Sequence, residues 1–259
     1  MPNVGMIKQK PYHFEDLVTA IARKENEMKC RFCKGDLSGP VVDQFFACKV
    51  CQVHWNTEVP SKAVLKQSLA NMMLTACTNP VTRKRRLDQA SEQLDLIKPH
   101  VTIGRLYDVG AAAGFVMHVA QSKGWEVYGN ELSRQAVKWA KQNYNLDIFH
   151  GFLEDDPIAV DGHFDLVVFW NTLEHVRNPI EEMGQATDML KPNGHIHIEV
   201  PIKNASELAI FSPAGHMTEF DHKALNILRD LFGLEEVARW ELKGGKGQRY
   251  VRVLWRKPT

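Results

Sequence analysis

Three features of this chain predict an α/β fold built on a mostly parallel sheet. From residue 104 onward, strand-like apolar runs alternate with helical stretches. One tight turn between a run and a helix carries two glycines, in the stretch YDVGAAAGF. The last two runs flank a second glycine-rich turn. Strands alternating with helices imply βαβ units and a parallel sheet. Two runs joined by a glycine-rich turn imply an antiparallel hairpin, here at the C-terminal sheet edge.

The elements follow in order. Phe14, Leu17, Val18 and Ile21 repeat at i, i+3, i+4 and i+7, so residues 13–28 form an amphipathic helix. Residues 29–57 are rich in cysteine, glycine and aromatics. From 61 to 98 the pattern is helical, broken at Asn79-Pro80, where proline removes a donor and restricts its predecessor. Leu87, Leu94 and Ile97 mark one face of the second helix. The strands are RLYDVG, WEVYGNE, DIFHG, FDLVVFW and HIHIEV, with helices over 114–123, 133–144 and 178–190. A helix over 221–232 precedes EEVARWEL and QRYVRVLW, which meet at Lys243-Gly244-Gly245-Lys246-Gly247. Three regions result: an N-terminal helix and cysteine module over 1–60, a helical linker over 61–100, and the α/β domain over 101–259. No internal repeat or low-complexity tract interrupts them.

Composition narrows the function classes. With 44% hydrophobic and 24% charged residues, the chain buries an ordinary globular core. A formal net charge of +1 argues neither for nor against a polyanionic partner. No apolar run is long enough to span a membrane, and the N-terminus lacks the apolar segment of a secretory signal. The expected location is cytoplasmic.

Four of the five cysteines form two Cys-x-x-Cys pairs, Cys30/Cys33 and Cys48/Cys51, with fourteen residues between the pairs. In a cytosolic chain this spacing points to metal, since disulfides there are mostly kept reduced. Four thiolates can close a tetrahedral shell around Zn²⁺ at about 2.3 Å, a structural site with no open position. Gly35 and Gly39-Pro40 fit a hairpin turn between the pairs, so a zinc ribbon is expected. His54 is a spare ligand, and Cys77 is left over. A redox dithiol needs one pair beside a βα unit, and neither pair sits there.

The glycine turn reads G-x-x-x-G, which departs from the dinucleotide fingerprint G-x-G-x-x-G. Ala112 and Ala113 crowd the place where a pyrophosphate must approach the backbone, so a NAD-dependent enzyme is disfavoured. Asp108, Gly110, Ala112 and Gly114 instead resemble motif I of class I S-adenosylmethionine-dependent methyltransferases, an acid followed by G-x-G-x-G, with alanine at the central glycine. That resemblance implies a Rossmann-like fold and S-adenosylmethionine as cofactor.

The resemblance runs over residues 104–256. Glu131 ends the second strand 21 positions after Gly110, where an acid can accept both ribose hydroxyls; the plainer reading is a charge at a helix N-terminus. The family places side chains around the adenine after the third strand. There Leu153 could pack on the ring, and Glu154 or Asp155 could accept from the exocyclic amine. The stretch from Phe164-Asp165 to Leu173-Glu174-His175, followed by Pro179, matches the family's F-D-x-V…L-E-H pattern. Asn171 stands where an aspartate is often seen, keeping an acceptor but losing the charge. The match continues through Lys191-Pro192-Asn193-Gly194, His216-Met217-Thr218-Glu219-Phe220 and Leu231-Phe232-Gly233. It implies a cofactor set of Asp108, Gly110, Ala112, Gly114, Glu131, Leu153, Glu154 and Asn171. Several groups of such methyltransferases carry an N-terminal four-cysteine module.

Methyl transfer is an in-line displacement, so the protein must chiefly align nucleophile and methyl. A general base is needed only when the nucleophile carries a proton that must leave. His175 is the first candidate, because it follows the fourth strand on the ligand side of an open α/β sheet. Glu174 shares that rim, and His216 could cover the pocket from above. His195, His197 and Glu199 alternate on one strand face, which is expected to be exposed. Arg83-Lys84-Arg85-Arg86 could meet phosphates. On a helix, however, the run spreads around the axis, and a solvated face is expected. Three functions remain open: methyl transfer to a small molecule, sugar or nucleic acid; an inactive fold that binds nucleic acid or protein; and the disfavoured NAD enzyme. The sequence specifies neither the acceptor nor the oligomeric state.

Overall fold

The computed structural model describes residues 29–30, 32–42, 45–51, 53–56, 59–65, 67, 77, 79–202, 215–244 and 247–259. The helix expected over 13–28 lies outside them. Seven strands form the main sheet: β4 (Arg105–Val109), β5 (Glu126–Glu131), β6 (Phe149–His150), β7 (Phe164–Trp170), β8 (Leu190–Ile202), β10 (Glu235–Lys243) and β11 (Arg249–Arg256). Their spatial order is β10-β11-β8-β7-β4-β5-β6. Pairings from β8 through β6 are parallel, and β11 and β10 add the antiparallel edge. The mostly parallel sheet and its edge hairpin are therefore as expected. From β4 the chain moves first to one side and then to the other, so the sheet's switch point lies between β4 and β7. Open α/β sheets bind ligands in the crevice outside the carboxyl ends of the strands at such a point.

The helices start where local chemistry satisfies their free N–H groups. In α1 (Pro80–Ile97), the Asn79 side chain accepts from the Val81 and Thr82 amides, and proline fills the first turn. Asn178 and Pro179 repeat this device at α4 (Pro179–Met189), and Ser133 caps α3 (Arg134–Tyr144). Asp221 caps α5 (His222–Leu231). The helix α2 (Phe115–Ser122) has no side-chain cap; Gly114, with φ +73°, turns the chain into it.

One sheet face packs under α1 and α2, where Ala90, Leu94 and Ile97 meet Val116, Val119, Leu166, Val168 and Leu254. The opposite face packs against α4 and α5. The same cluster also holds Phe32, Leu37, Phe46, Val53 and Trp55 from the cysteine module. That module is a second sheet, with β1 (Leu37–Val42), β2 (Phe45–Cys48) and β3 (His54–Asn56) in antiparallel order, and its fourth strand is β9 (Thr218–Glu219). Segments on both sides of the boundary expected near residue 60 thus share one core. Among the described residues, no helix is long and apolar enough to cross a membrane.

Candidate functional site

At the carboxyl ends of β4, β5 and β7 lies a cavity of about 490 Å³. The loop from β4 to α2 forms one wall. Three of its residues have left-handed backbone: Gly110 (φ +70°), Ala112 (φ +52°) and Gly114 (φ +73°). A Cβ on Gly110 would stand 2.6 Å from the Thr172 side chain, so the loop can approach β7 only as glycine. A Cβ on Gly114 would meet Leu146 at 2.6 Å, and Gly114 does not line the cavity. Its part is close packing of helix on sheet.

Glu131 props this loop. One carboxylate oxygen accepts from the Ala112 amide at 2.9 Å, and the other accepts from the Ser133 amide at 2.7 Å. Burial holds the carboxyl above its usual range, partly countered by those amides. Asp108 is buried on the cavity wall and is pushed well up by burial and then by Glu131. Its Oδ2 has no protein partner, the kind of orphaned oxygen that a polar ligand group would satisfy. Leu153 is buried at the wall, while Glu154 stands at the rim and pairs with Lys62. Asp155 does not line the cavity.

Across the cavity, β7 runs into Asn171, Thr172 and one 3-10 turn, Leu173–His175. Asn171 takes φ +52°, a conformation its short polar side chain tolerates. Its amide donates to Glu199 Oε1 at 2.7 Å, a donor role beside the acceptor its carbonyl oxygen keeps. His175 lines the cavity, and its Nδ1–H donates to the Gly215 carbonyl at 2.9 Å. Burial lowers its pKa, which favours the neutral ring. Glu174 and His216 lie behind it, buried and outside the lining. Burial pushes Glu174 up to about 8, and His216 Nδ1 sits 3.0 Å from Glu219 Oε1. The His175 and His216 rings meet edge to face at 4.7 Å.

The exposed face expected for His195, His197 and Glu199 is instead buried. Glu199 accepts from Gln93 of α1 at 2.9 Å and from Arg252 of β11 at 2.6 Å, and Arg252 also reaches Glu92 at 2.9 Å. His197 accepts from Trp170 Nε1 at 2.7 Å. Helix α1 and strand β11 thus supply the partners that make Glu199 tolerable inside, and Trp170 of β7 supplies one for His197. Gln93 and Arg252 had no local signal in the sequence, and Gln93 and Glu199 are 106 residues apart. Glu182, also unforeseen, lines the cavity and is pushed up to about 7 by burial and then by Glu181. The basic run spreads around α1. Arg83 lies over the Trp139 ring at 5.2 Å, Lys84 pairs with Asp88 at 2.7 Å, and Arg86 reaches the cavity.

The cysteine pairs converge. All four sulfurs lie within 4.8 Å of one another, with Cys30–Cys51 and Cys33–Cys48 each 3.4 Å apart. No disulfide joins them. The hydrogen bond from Cys51 pulls Cys30 down to about 4, toward the thiolate form that binds metal. The amides of Val50 and Cys51 donate to Cys48 Sγ, and Trp55 Nε1 donates to Cys30 Sγ, each at 3.4 Å. This four-sulfur set fits a tetrahedral metal shell. His54 stands outside the cluster, and Cys77 is buried against Ala113 and Phe115.

A family model described as a methyltransferase domain matches residues 82–238, more than half of the chain. This chain belongs to the class I S-adenosylmethionine-dependent methyltransferases. The matched span holds the glycine loop, Glu131 and the Asn171–His175 side of the methyltransferase's cavity. A ubiquinone biosynthesis O-methyltransferase of Chromobacterium violaceum is 27% identical over 120 residues, 44% of this chain and 52% of that protein. The chain spans about half the length of the first curated relatives it matches. Among solved structures, the 1,6-didemethyltoxoflavin-N1-methyltransferase of Burkholderia thailandensis, bound to S-adenosylhomocysteine, aligns with a TM-score of 0.59. It shares 15% identity and covers 86% of this chain and 99% of that one. The [4+2]-cyclase SpnF aligns with a TM-score of 0.56 at 17% identity over 65% of this chain and 81% of its own. These two likenesses concern the fold alone.

Proposed function

We propose that this chain moves the methyl group of S-adenosylmethionine onto an oxygen of a small hydroxylated acceptor, and that its cysteine module holds a structural Zn²⁺. The observation that carries the reading is one cavity walled by the motif I loop with Glu131 on one side and by Asn171 and His175 on the other. The O-methyltransferase relatives support the choice of oxygen as acceptor. Leu65, Phe115, Val116 and Trp170 add apolar wall suited to a ring-bearing body. The engagement of Arg83 and Lys84 with neighbouring side chains favours a small acceptor over a polynucleotide.

S-adenosylmethionine supplies a methyl group on positive sulfur. The chain's own residues bind and orient it: Gly110 and Ala112 by backbone, Glu131 through its free lone pairs at the ribose hydroxyls, and Leu153 against the adenine. Glu154 stands at the rim, Asp108 beneath the loop, and Gly114 keeps the loop's shape. Asn171, clamped by Glu199, fixes the wall between cofactor and acceptor. The acceptor's hydroxyl proton must leave as the new C–O bond forms; His175 stands at that wall, with Glu174 and His216 buried behind it.

The reading is tested by calorimetry with S-adenosylmethionine and by transfer of labelled methyl to hydroxylated aromatic acceptors. Replacing a charged hydrogen-bond partner costs about 1.5–3 kcal/mol, so Glu131→Ala should weaken cofactor binding by about tenfold or more. Unchanged affinity in that variant would sink the ribose assignment.

A further inference from the structure

We propose that Glu174, His175 and His216 form a second metal site, distinct from the four cysteines, that holds one divalent first-row transition-metal ion beside the cavity. One donor atom from each of the three residues lies within 4.8 Å of the other two. The hydrogen bonds of both imidazoles suit this. His175 Nδ1 faces the Gly215 carbonyl at 2.9 Å, which can only accept, so Nδ1 carries the proton and Nε2 keeps its lone pair. His216 Nδ1 faces Glu219 Oε1 at 3.0 Å, which assigns the same tautomer when that carboxylate is ionised. A ring N–H given to a carbonyl or carboxylate, with the other nitrogen left free, is the arrangement that orients metal-ligating histidines.

The third donor is a buried carboxylate without a counter-ion. Glu174 is 2% exposed, and its Oε2 has no hydrogen-bond partner. Among the described residues no lysine or arginine pairs with it; His175 Nε2 lies 4.0 Å from its Oε1. A buried carboxylate without a cation is costly, and a metal ion would remove that cost. Two imidazoles and one carboxylate suit zinc, iron, cobalt or manganese rather than calcium or magnesium, and three protein ligands leave open positions.

His175 lines the cavity while Glu174 and His216 are buried behind it, so the ion would be reached from the cavity. The role given to it rests on the methyl-transfer reading above. An acceptor hydroxyl bound at an open position would release its proton to solvent, since a metal ion lowers the pKa of a bound hydroxyl. The oxygen's electron pair would then form the bond to the methyl carbon, and the C–S pair would return to sulfur, leaving a neutral thioether. In this scheme His175 is a ligand, and no protein base takes the proton.

The test uses the full chain, dialysed against a mild chelator that leaves the cysteine module loaded. It is titrated with Mn²⁺, which soft thiolates bind poorly, and read by loss of the free ion's paramagnetic resonance signal. One Mn²⁺ per chain is expected. Glu219→Gln, which acts through the His216 ring, should weaken uptake by about 10–100-fold. Glu174→Gln and His216→Gln should weaken it further. Calorimetry with S-adenosylmethionine reports whether each variant keeps its fold and its cofactor site. No Mn²⁺ uptake by the wild type overturns the metal site, as does unchanged uptake in a Glu174→Gln chain that still binds cofactor. Mn²⁺ uptake by a wild type that fails to bind S-adenosylmethionine supports the metal site and overturns the methyl-transfer reading instead.

Discussion

His197 has no exposed surface, and burial, ahead of the Arg252 charge, pushes its imidazole down to about 3. In the unfolded chain the same ring titrates near about 6.5. Between these values the unfolded chain binds a proton that the folded chain does not. His197 therefore contributes stability that is present above about 6.5 and is lost as pH falls toward about 3. The thermal midpoint should drop as the buffer is acidified through this window, and His197→Gln should flatten the drop. Calorimetric scans of both proteins across pH decide it; parallel curves would refute the assignment. Ala112 makes a second argument at this scale. A non-glycine residue in the left-handed region costs of order 1–3 kcal/mol, offset by up to about 1 kcal/mol from glycine's freer unfolded chain. Ala112→Gly should accordingly stabilise the protein by about 1 kcal/mol, read as a higher urea midpoint at unchanged slope.

Strand β8 and helix α1 explain each other as elements. An alternating His-x-His-x-Glu strand reads as one exposed face when only its own neighbours are considered. Arg252 from β11 and Gln93 from α1 turn that face into a buried network centred on Glu199. The network also accounts for Asn171. An aspartate there would set a second carboxylate against Glu199, whereas the asparagine amide donates to it. Removing one partner of a buried ion pair costs about 3–5 kcal/mol, because the other charge is left uncompensated. Arg252→Leu should lose about that much in urea denaturation; a loss no larger than that of a surface substitution would remove the network from the account. The glycine loop, by contrast, was legible in advance, since its chemistry is local: left-handed turns demand small residues wherever the chain goes next.

At the scale of the whole molecule, the cysteine module and the cavity are joined by short backbone links. Strand β9 pairs with β3, with His54 opposite Glu219 and Trp55 opposite Thr218. The Asn56 amide donates to the Met217 carbonyl at 3.0 Å, and the Met217 amide donates to the Glu174 carbonyl at 2.8 Å. The segment that carries His216 is therefore held between the module and the end of β7. Because both also share one hydrophobic cluster, they should melt together. A chelator strong enough to take the proposed Zn²⁺ from the four thiolates should move a single cooperative transition to lower temperature; a second, unmoved transition would show that the module folds apart from the rest. The alternation of strands and helices, the glycine loop and the two cysteine pairs could be read from the chain alone, because periodicity, turn chemistry and Cys-x-x-Cys spacing act over a few residues. Only tertiary structure decided that the polar face of β8 is buried, that Asn171 donates, and that Glu174, His175 and His216 come together. Each of these depends on a partner brought from far along the chain, and a side chain's charge and hydrogen-bonding role are set by what surrounds it.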